Sequence, residues 1–225
     1  MNGPDTLKQY EGPLRTKMGA CFPGKRAVFR GQDLHSTFRN ANWFDFCVYS
    51  ITGRHLTEPE LNVLQGIWVY TSYPDVRLWN NRVASLAASA RSTGAQGLAA
   101  GIACSEAAIF GKQPDMAICD FLFRAQKRVA AGECLEDLIR EEMKNHKVIM
   151  GYGRPMAAVY VDERIPVTFE LMKSEGVEMG PHMLLALEIE KQLEKILGRP
   201  LPMAYSTPVT AIPLDMGFSV REVYL

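Results

Sequence analysis

An all-α fold is the prediction, and three observations carry it. Thr57-Glu58-Pro59-Glu60 is a capping box with proline in the first turn, followed by apolar residues at helical spacing. Gly132, Gly176 and Gly198 stand where helices of ordinary length should close. No sustained period-two alternation competes with these signals, so no strand is assigned.

The first well-marked helix runs from this box through Leu61, Leu64, Ile67 and Trp68 to about Thr71. Ser72-Tyr73-Pro74-Asp75 is a turn, because a residue before proline is kept out of the helical region, and a second helix follows from about Asp75. Between Val83 and Gly111 small residues recur at helical spacing, which lets helix axes approach closely and suits a tightly packed pair or a subunit interface. A surface helix is the plainer reading of that stretch, but it has no charged face. Beyond Gln113-Pro114, helices are expected near 115–131 and 134–146, with a loop over 147–163. Further helices are expected over 164–175, 181–197 and 207–216. There is no internal repeat, low-complexity region or flexible linker, so any domain division passes through compact structure.

Composition narrows the function classes. The 225 residues carry 25 Lys and Arg against 25 Asp and Glu, which leaves no long-range field for nucleic acid or an anionic membrane. No apolar run approaches the roughly 18 residues of a membrane span, and Met-Asn-Gly-Pro-Asp lacks a signal-peptide pattern, so a soluble, cytoplasmic protein is expected. Five scattered cysteines without a Cys-x-x-Cys pair argue against a disulfide framework, and four dispersed histidines against a metal site.

The most distinctive stretch is Val148-Ile149-Met150-Gly151-Tyr152-Gly153-Arg154-Pro155, with Asp162-Glu163-Arg164 following. Two glycines flanking a tyrosine permit positive φ and a close backbone approach to a ligand. This stretch resembles the active-site loop of the citrate synthase family, which includes the citryl-CoA lyases. Five other segments resemble family motifs in the same order: Val28-Phe29-Arg30-Gly31-Gln32-Asp33-Leu34, Ile51-Thr52-Gly53-Arg54-His55-Leu56-Thr57, Arg82-Val83-Ala84-Ser85, the 97–106 stretch with Glu106, and Leu214-Asp215-Met216-Gly217-Phe218. Each is weak alone, and six in order are much stronger.

The resemblance implies a citrate synthase-like fold: a large helical domain of 1–110 plus 201–225, responsible for dimerisation, and a small helical domain of 111–200. In that family the glycine loop lies against the adenine end of coenzyme A, so Val148, Ile149, Met150, Gly151, Tyr152 and Gly153 are the implied cofactor-binding residues. The family's catalytic residues do not carry over. Its histidine positions fall on Gly101, on Arg154 and within Tyr70-Thr71-Ser72, and its catalytic aspartate falls on Ser206. Serine cannot act as the carboxylate base without activation, and arginine is always charged and cannot shuttle protons near neutral pH. Ordinary citrate synthesis is therefore not expected.

Three residues remain as candidate catalytic positions: Arg154, Arg164 and Ser206. Arg154 reads either as an oxyanion or carboxylate clamp or as a structural partner of Asp162 or Glu163. Arg164 corresponds to a family residue that binds a substrate carboxylate, while Ser206 is a candidate by position only, and a buried hydroxyl bonded to helix backbone is its plainer reading. Tyr152 lines a pocket or packs. Asp75, Arg77, Asn80 and Asn81 read as a replacement polar site or as a solvated helix start, and Cys104 as an inert thiol.

The resemblance thus implies a divergent enzyme acting on a carboxylate-bearing, CoA-linked substrate by C–C bond cleavage or formation, or by related acid-base chemistry. A coenzyme A thioester is the implied substrate, with no tightly bound cofactor, and the implied partner is a second copy in a homodimer. The alternative is a catalytically silent homologue that binds a metabolite or a partner protein.

Overall fold

Helix caps place most of the elements, and the short strands come from turns. The computed structural model describes residues 3–9, 11–12, 16–153 and 161–225. The fold is mostly helical with one small three-stranded sheet. Its contacts divide the chain into two compact units, Met1–Leu56 and Thr57–Leu225.

The first unit contains α1 (Gly3–Gln9), β1 (Gly19–Phe22), β2 (Arg26–Phe29), β3 (Gln32–Asp33), α2 (Leu34–Thr37) and α3 (Trp43–Thr52). The strands pair antiparallel in the order β1-β2-β3, with Gly19 opposite Phe29 and Val28 opposite Asp33. They correct the expectation of no strand. Each has four residues or fewer, and β1 is largely exposed, so neither length nor burial imposes an alternating pattern. What makes the second hairpin is Arg30-Gly31, with φ of 46° and 82°, which turns the chain between β2 and β3.

The residues around this turn also anchor α3. The Arg30 guanidinium donates to the carbonyls of Ser50 and Ile51 at 3.0 and 3.1 Å, and so satisfies the last turn of that helix. Gly53, at φ 74°, closes it by donating to Tyr49. Phe29, Phe38, Phe46 and Tyr49 form an aromatic cluster, with His55 stacked on Tyr49 at 4.5 Å.

The second unit contains α4 (Glu58–Thr71), α5 (Trp79–Ser89), α6 (Gly94–Cys104), α7 (Lys112–Ala130), α8 (Leu135–His146), α9 (Arg164–Glu175), α10 (Pro181–Leu197), α11 (Ser206–Asp215) and α12 (Val220–Tyr224). The capping box is formed as expected, and Gly176 and Gly198 close α9 and α10 in the left-handed conformation. Two starts differ from expectation. Helix α5 begins at Trp79 instead of Asp75, because the Asp75 carboxylate is taken up by Arg77 in the turn. Helix α7 begins at Lys112, since Pro114 is tolerated within a first helical turn.

The core lies between α7, α10 and α11, where Ile118, Leu122, Met183, Ile189, Leu193 and Ile212 are almost fully buried. Helix α11 is buried nearly all round, from Thr207 to Leu214. Elsewhere glycines allow close approach: a Cβ at Gly66 of α4 would collide with Leu171 of α9, and one at Gly101 of α6 would lie 3.2 Å from the Asn80 carbonyl of α5. The small-residue stretch is thus a tightly packed pair, α5 on α6.

Asp215, at the end of α11, caps α10 from outside. Its carboxylate accepts from the backbone N–H of His182 and Met183 at 2.8 and 2.9 Å, and lies 2.8 Å from His182 Nδ1. Asp215→Ala is expected to lower unfolding stability by about 2–3 kcal/mol, since it removes a charged helix cap in a half-buried setting. Urea unfolding checks this, and a loss below about 0.5 kcal/mol would show that α10 does not depend on the cap.

Candidate functional site

The first turn of α11 gathers the parts. Before it, Met203 donates its backbone N–H to Glu190 at 2.9 Å, and Tyr152 pairs with Met203 in an isolated bridge. Gly153 donates to the Pro202 carbonyl at 2.7 Å, and the Gly151 carbonyl accepts from Ala204 at 2.8 Å and from the Thr207 hydroxyl at 2.7 Å. The glycine loop is therefore stitched to the start of α11 by backbone bonds. Gly151 and Gly153 have φ of 87° and 79°, and a Cβ at Gly151 would meet the Thr207 hydroxyl and lie 2.7 Å from the Ile118 side chain. Only glycine fits the first position without displacing α7 or α11.

Within the loop the side chains divide. Ile149 and Tyr152 are buried in the core, and the Tyr152 phenol donates to the Ala186 carbonyl at 2.8 Å. Burial, with the nearby Glu190 charge, holds that phenol well above its ordinary pKa, so it stays protonated. Val148 and Met150 are exposed. The loop thus presents two apolar side chains on a backbone fixed from behind. Arg154 lies outside the described residues.

Arg164 is the most strongly built side chain of the site. It opens α9, and its Nε and one terminal nitrogen donate to the two oxygens of Asp162, each at 2.8 Å. Asp162 is 1% exposed and Arg164 21%. The guanidinium lies 4.4 Å from the centroid of Tyr205 and 5.1 Å from that of Tyr73. Burial opposes its charge, but the hydrogen bonds and charge of Asp162, with Tyr73 and Glu163, outweigh burial and raise its pKa.

The two rings are themselves fixed. Tyr73 donates to Glu163 at 2.6 Å, and burial followed by that bond pushes its phenol up to about 12. Tyr205 lies 2.7 Å from the Thr168 hydroxyl, which gives its single proton to the Arg164 carbonyl at 2.8 Å. Tyr205 is consequently the donor to Thr168. Two of the five guanidinium N–H groups are used by Asp162, and the other three have no partner among the described residues. The result is a permanent cation, held rigid, with donors left for a carboxylate or phosphate.

Ser206 stands at the first position of α11, partly buried, and its carbonyl accepts from Thr210 at 2.9 Å. Arg164 and Ser206 are thus brought to one place through Tyr205, the residue before Ser206. The other polar residues weighed from sequence serve the turn before α5: Asp75 pairs with Arg77 at 2.6 Å, and the Asn81 amide donates to the Tyr73 and Asp75 carbonyls. Cys104 is a free thiol at the end of α6. Glu106 accepts from the Tyr224 phenol at 3.3 Å.

Sequence reading missed Tyr73, Tyr205 and Asp115. Asp115 lies in the first turn of α7, half-buried, on the face that carries Ile118, Cys119 and Leu122. Burial pushes its carboxyl up to about 6, against the pull of Lys112 and Arg164. The signal was present: an acid at i−3 and i−4 from fully buried apolar residues shares their face. Among the described residues no three His, Cys, Asp or Glu side chains form a metal-ligand set, and no helix is long and apolar enough to cross a membrane. A separate groove of about 540 Å³ runs past Glu60, Met172, Glu178 and Asp215 and does not include Arg164.

Solved structures match this fold. Citryl-CoA lyase from Hydrogenobacter thermophilus matches over 94% of this chain and 79% of its own, with a TM-score of 0.79 at 20% sequence identity. The fold is citryl-CoA lyase-like. ATP citrate lyase from Methanothrix soehngenii, in complex with citrate and coenzyme A, matches with a TM-score of 0.72 at 15% identity. A mutant ATP citrate lyase from Methanosaeta concilii, in complex with (3S)-citryl-CoA, matches with 0.70 at 16%. Both cover 99% of this chain, which spans only 37% of their length. No protein-family model matches this chain, and no curated protein matches it by sequence.

Asp115 makes stability depend on pH. Its folded pKa of about 6 lies above the ordinary 3.8, so its ionised form is disfavoured in the fold and stability falls as pH rises through that window. Asp115→Asn, which carries no charge, should melt higher than wild type at pH 8, by roughly 2–4 °C per kcal/mol recovered. The gain should fade below about pH 4, and thermal melts at the two pH values check it. An equal difference at both would mean that ionisation is not its cause.

Proposed function

We propose that this chain binds a carboxylate-bearing thioester of coenzyme A and makes or breaks a C–C bond beside the thioester carbonyl, in a reaction other than ordinary citrate synthesis. The observation that carries this reading is the Arg164 fork, held by Asp162 between Tyr73 and Tyr205 with donors to spare. A half-buried cation needs anionic partners, and one that keeps three N–H groups unused by the described residues in a fixed plane is suited to a carboxylate. The glycine loop beside it, with Val148 and Met150 exposed, would receive the coenzyme. Arg154, the loop residue that follows, belongs to the same proposal. Two structural neighbours were solved with citrate and coenzyme A or with citryl-CoA, which supports the substrate class.

In the cleaving direction such a reaction breaks the bond between the carbon beside the thioester and a hydroxyl-bearing carbon. The hydroxyl loses its proton and becomes a carbonyl, the electron pair passes to the thioester enolate, and the enolate carbon takes up a proton. Arg164 would orient the substrate by its carboxylate and stay charged throughout. Five cysteines without a disulfide support a reducing, cytoplasmic setting.

A second reading, a silent homologue that binds a metabolite or a partner protein, is favoured by Gly101 and Ser206 at positions where the resemblance places catalytic side chains. Calorimetric titration with coenzyme A, acetyl-CoA and citrate separates the two, alongside Arg164→Lys, which keeps the charge and loses the fork. Binding of a thioester and of citrate is expected, with citrate affinity in the lysine variant lowered by about tenfold or more. Absence of binding by wild type would sink the enzymatic reading.

We further propose a homodimer formed by α5 and α6. No residue of α5 is buried, and α6 buries only Gly97 and Gly101 against its neighbour. Leu86, Leu98 and Ile102 are 61%, 65% and 58% exposed, and Trp79 and Ile109 are exposed beside them. An apolar face of this kind on a helix pair calls for a cover, and a second copy offers the same face. Light scattering should show a dimer for wild type and a monomer for the Leu98→Glu, Ile102→Glu double variant. A monomeric wild type would refute the arrangement.

A further inference from the structure

The site described so far has an anion fork and no proton acceptor. Ser206 offers a hydroxyl that no described residue activates, and Arg164 is permanently charged. Three described carboxylates are coupled to Arg164, and two are engaged: Asp162 gives both oxygens to the guanidinium, and Glu163 accepts from Tyr73. Asp115 is the third, close enough for the Arg164 charge to act on its ionisation.

Its position is set by packing. Ile118, one turn along α7, reaches the glycine loop at Gly151, where an added Cβ would lie 2.7 Å from its side chain. Helix α7 also packs along α11, whose first turn holds Ser206 and Thr207. Asp115 therefore sits on the α7 face directed toward the loop and the start of α11, one turn nearer the N-terminus. The neighbouring cation, Lys112, acts on Asp115 through space and makes its bonds elsewhere, donating to the Val223 carbonyl at 3.4 Å and lying 5.5 Å from the centroid of Tyr224. Among the described residues the Asp115 side chain has neither a hydrogen bond nor an ion pair.

We propose that Asp115 is the catalytic base of this site, the carboxylate that removes and returns a proton on the carbon beside the thioester carbonyl. This rests on the reading of the site as one for acyl-CoA. In the forward step a carboxylate oxygen forms a bond to that hydrogen, the C–H electron pair becomes the enolate double bond, and the thioester oxygen takes the negative charge. In the reverse step the proton returns to carbon and the carboxylate is regenerated. No further reactant is consumed. Half-burial without a partner raises the basicity of the carboxylate, and proton transfer is fastest when a base titrates near working pH.

The groups acting on it are limited. Lys112 on its own helix and Arg164 from α9 favour the ionised form, and Cys119, one turn on, is a thiol pushed up by burial to about 12. Helix α11 carries no charged side chain before Asp215, and α12 meets Lys112 through the Val223 carbonyl and Tyr224.

Deuterium uptake by acetyl-CoA and succinyl-CoA in heavy water, followed by mass spectrometry, tests the assignment. Wild type should exchange the hydrogens beside the thioester, with a rate that rises with pH and levels above about pH 6. Asp115→Asn should lose about 100-fold or more while binding acetyl-CoA by calorimetry, and Asp115→Glu should keep part of the rate. A base role requires both the loss and the pH profile, which a merely structural residue would not produce. Exchange by Asp115→Asn at the wild-type rate, or a flat profile, overturns the proposal and leaves the acyl-CoA reading standing. Wild type that binds acetyl-CoA without exchange does the same. Wild type that binds neither thioester overturns both.

Discussion

Everything at the candidate site hangs from the carbonyl of Gly151. It accepts two hydrogen bonds, from Ala204 and from the buried Thr207 hydroxyl, and so joins the loop after α8 to the first turn of α11. That turn begins at Tyr205, whose ring supports Arg164 and whose phenol is fixed through Thr168 to the backbone of α9. Ile118 closes the arrangement from α7. Four elements are thereby referred to one point, and a shift of the loop cannot occur without moving the start of α11.

The charges at this point are distributed unevenly. Asp162 and Arg164 satisfy one another with bidentate geometry, the form in which a buried pair best recovers its desolvation. Asp115 has no such relief and is held in the fold at the expense of stability. Structural carboxylates in this chain, such as Asp33 capping α2 and Asp215 capping α10, instead accept several bonds each. The contrast distinguishes a carboxylate that builds the fold from one the fold merely tolerates.

How much of this was legible depended on whether the determinant was local. The capping box at Thr57, the left-handed glycines at 176 and 198 and the small residues of α5 and α6 act within a few residues of themselves, and their elements were readable. The strands were not, because runs of two to four residues, with β1 mostly exposed, carry no sustained apolar alternation. At the site, Arg164 was visible through resemblance alone. Its fork is defined by Asp162, but Tyr73 and Tyr205 reach it from α4's end and α11's start, a meeting that no spacing along the chain encodes. The same holds for the inward aim of Tyr152, whose partner is the Ala186 carbonyl.

Asp215 also orders events during synthesis. The first turn of the helix it caps, α10, is made more than thirty residues earlier, with two of its N–H groups waiting for a carboxylate not yet made. Until α11 arrives, α10 is an uncapped segment whose apolar face of Met183, Ala186, Ile189 and Leu193 has α7 and α8 to pack on but lacks α11. The two helices therefore become stable together, at one late moment in the growth of the chain, and a nascent chain that pauses before Asp215 presents that face to whatever binds unfolded protein.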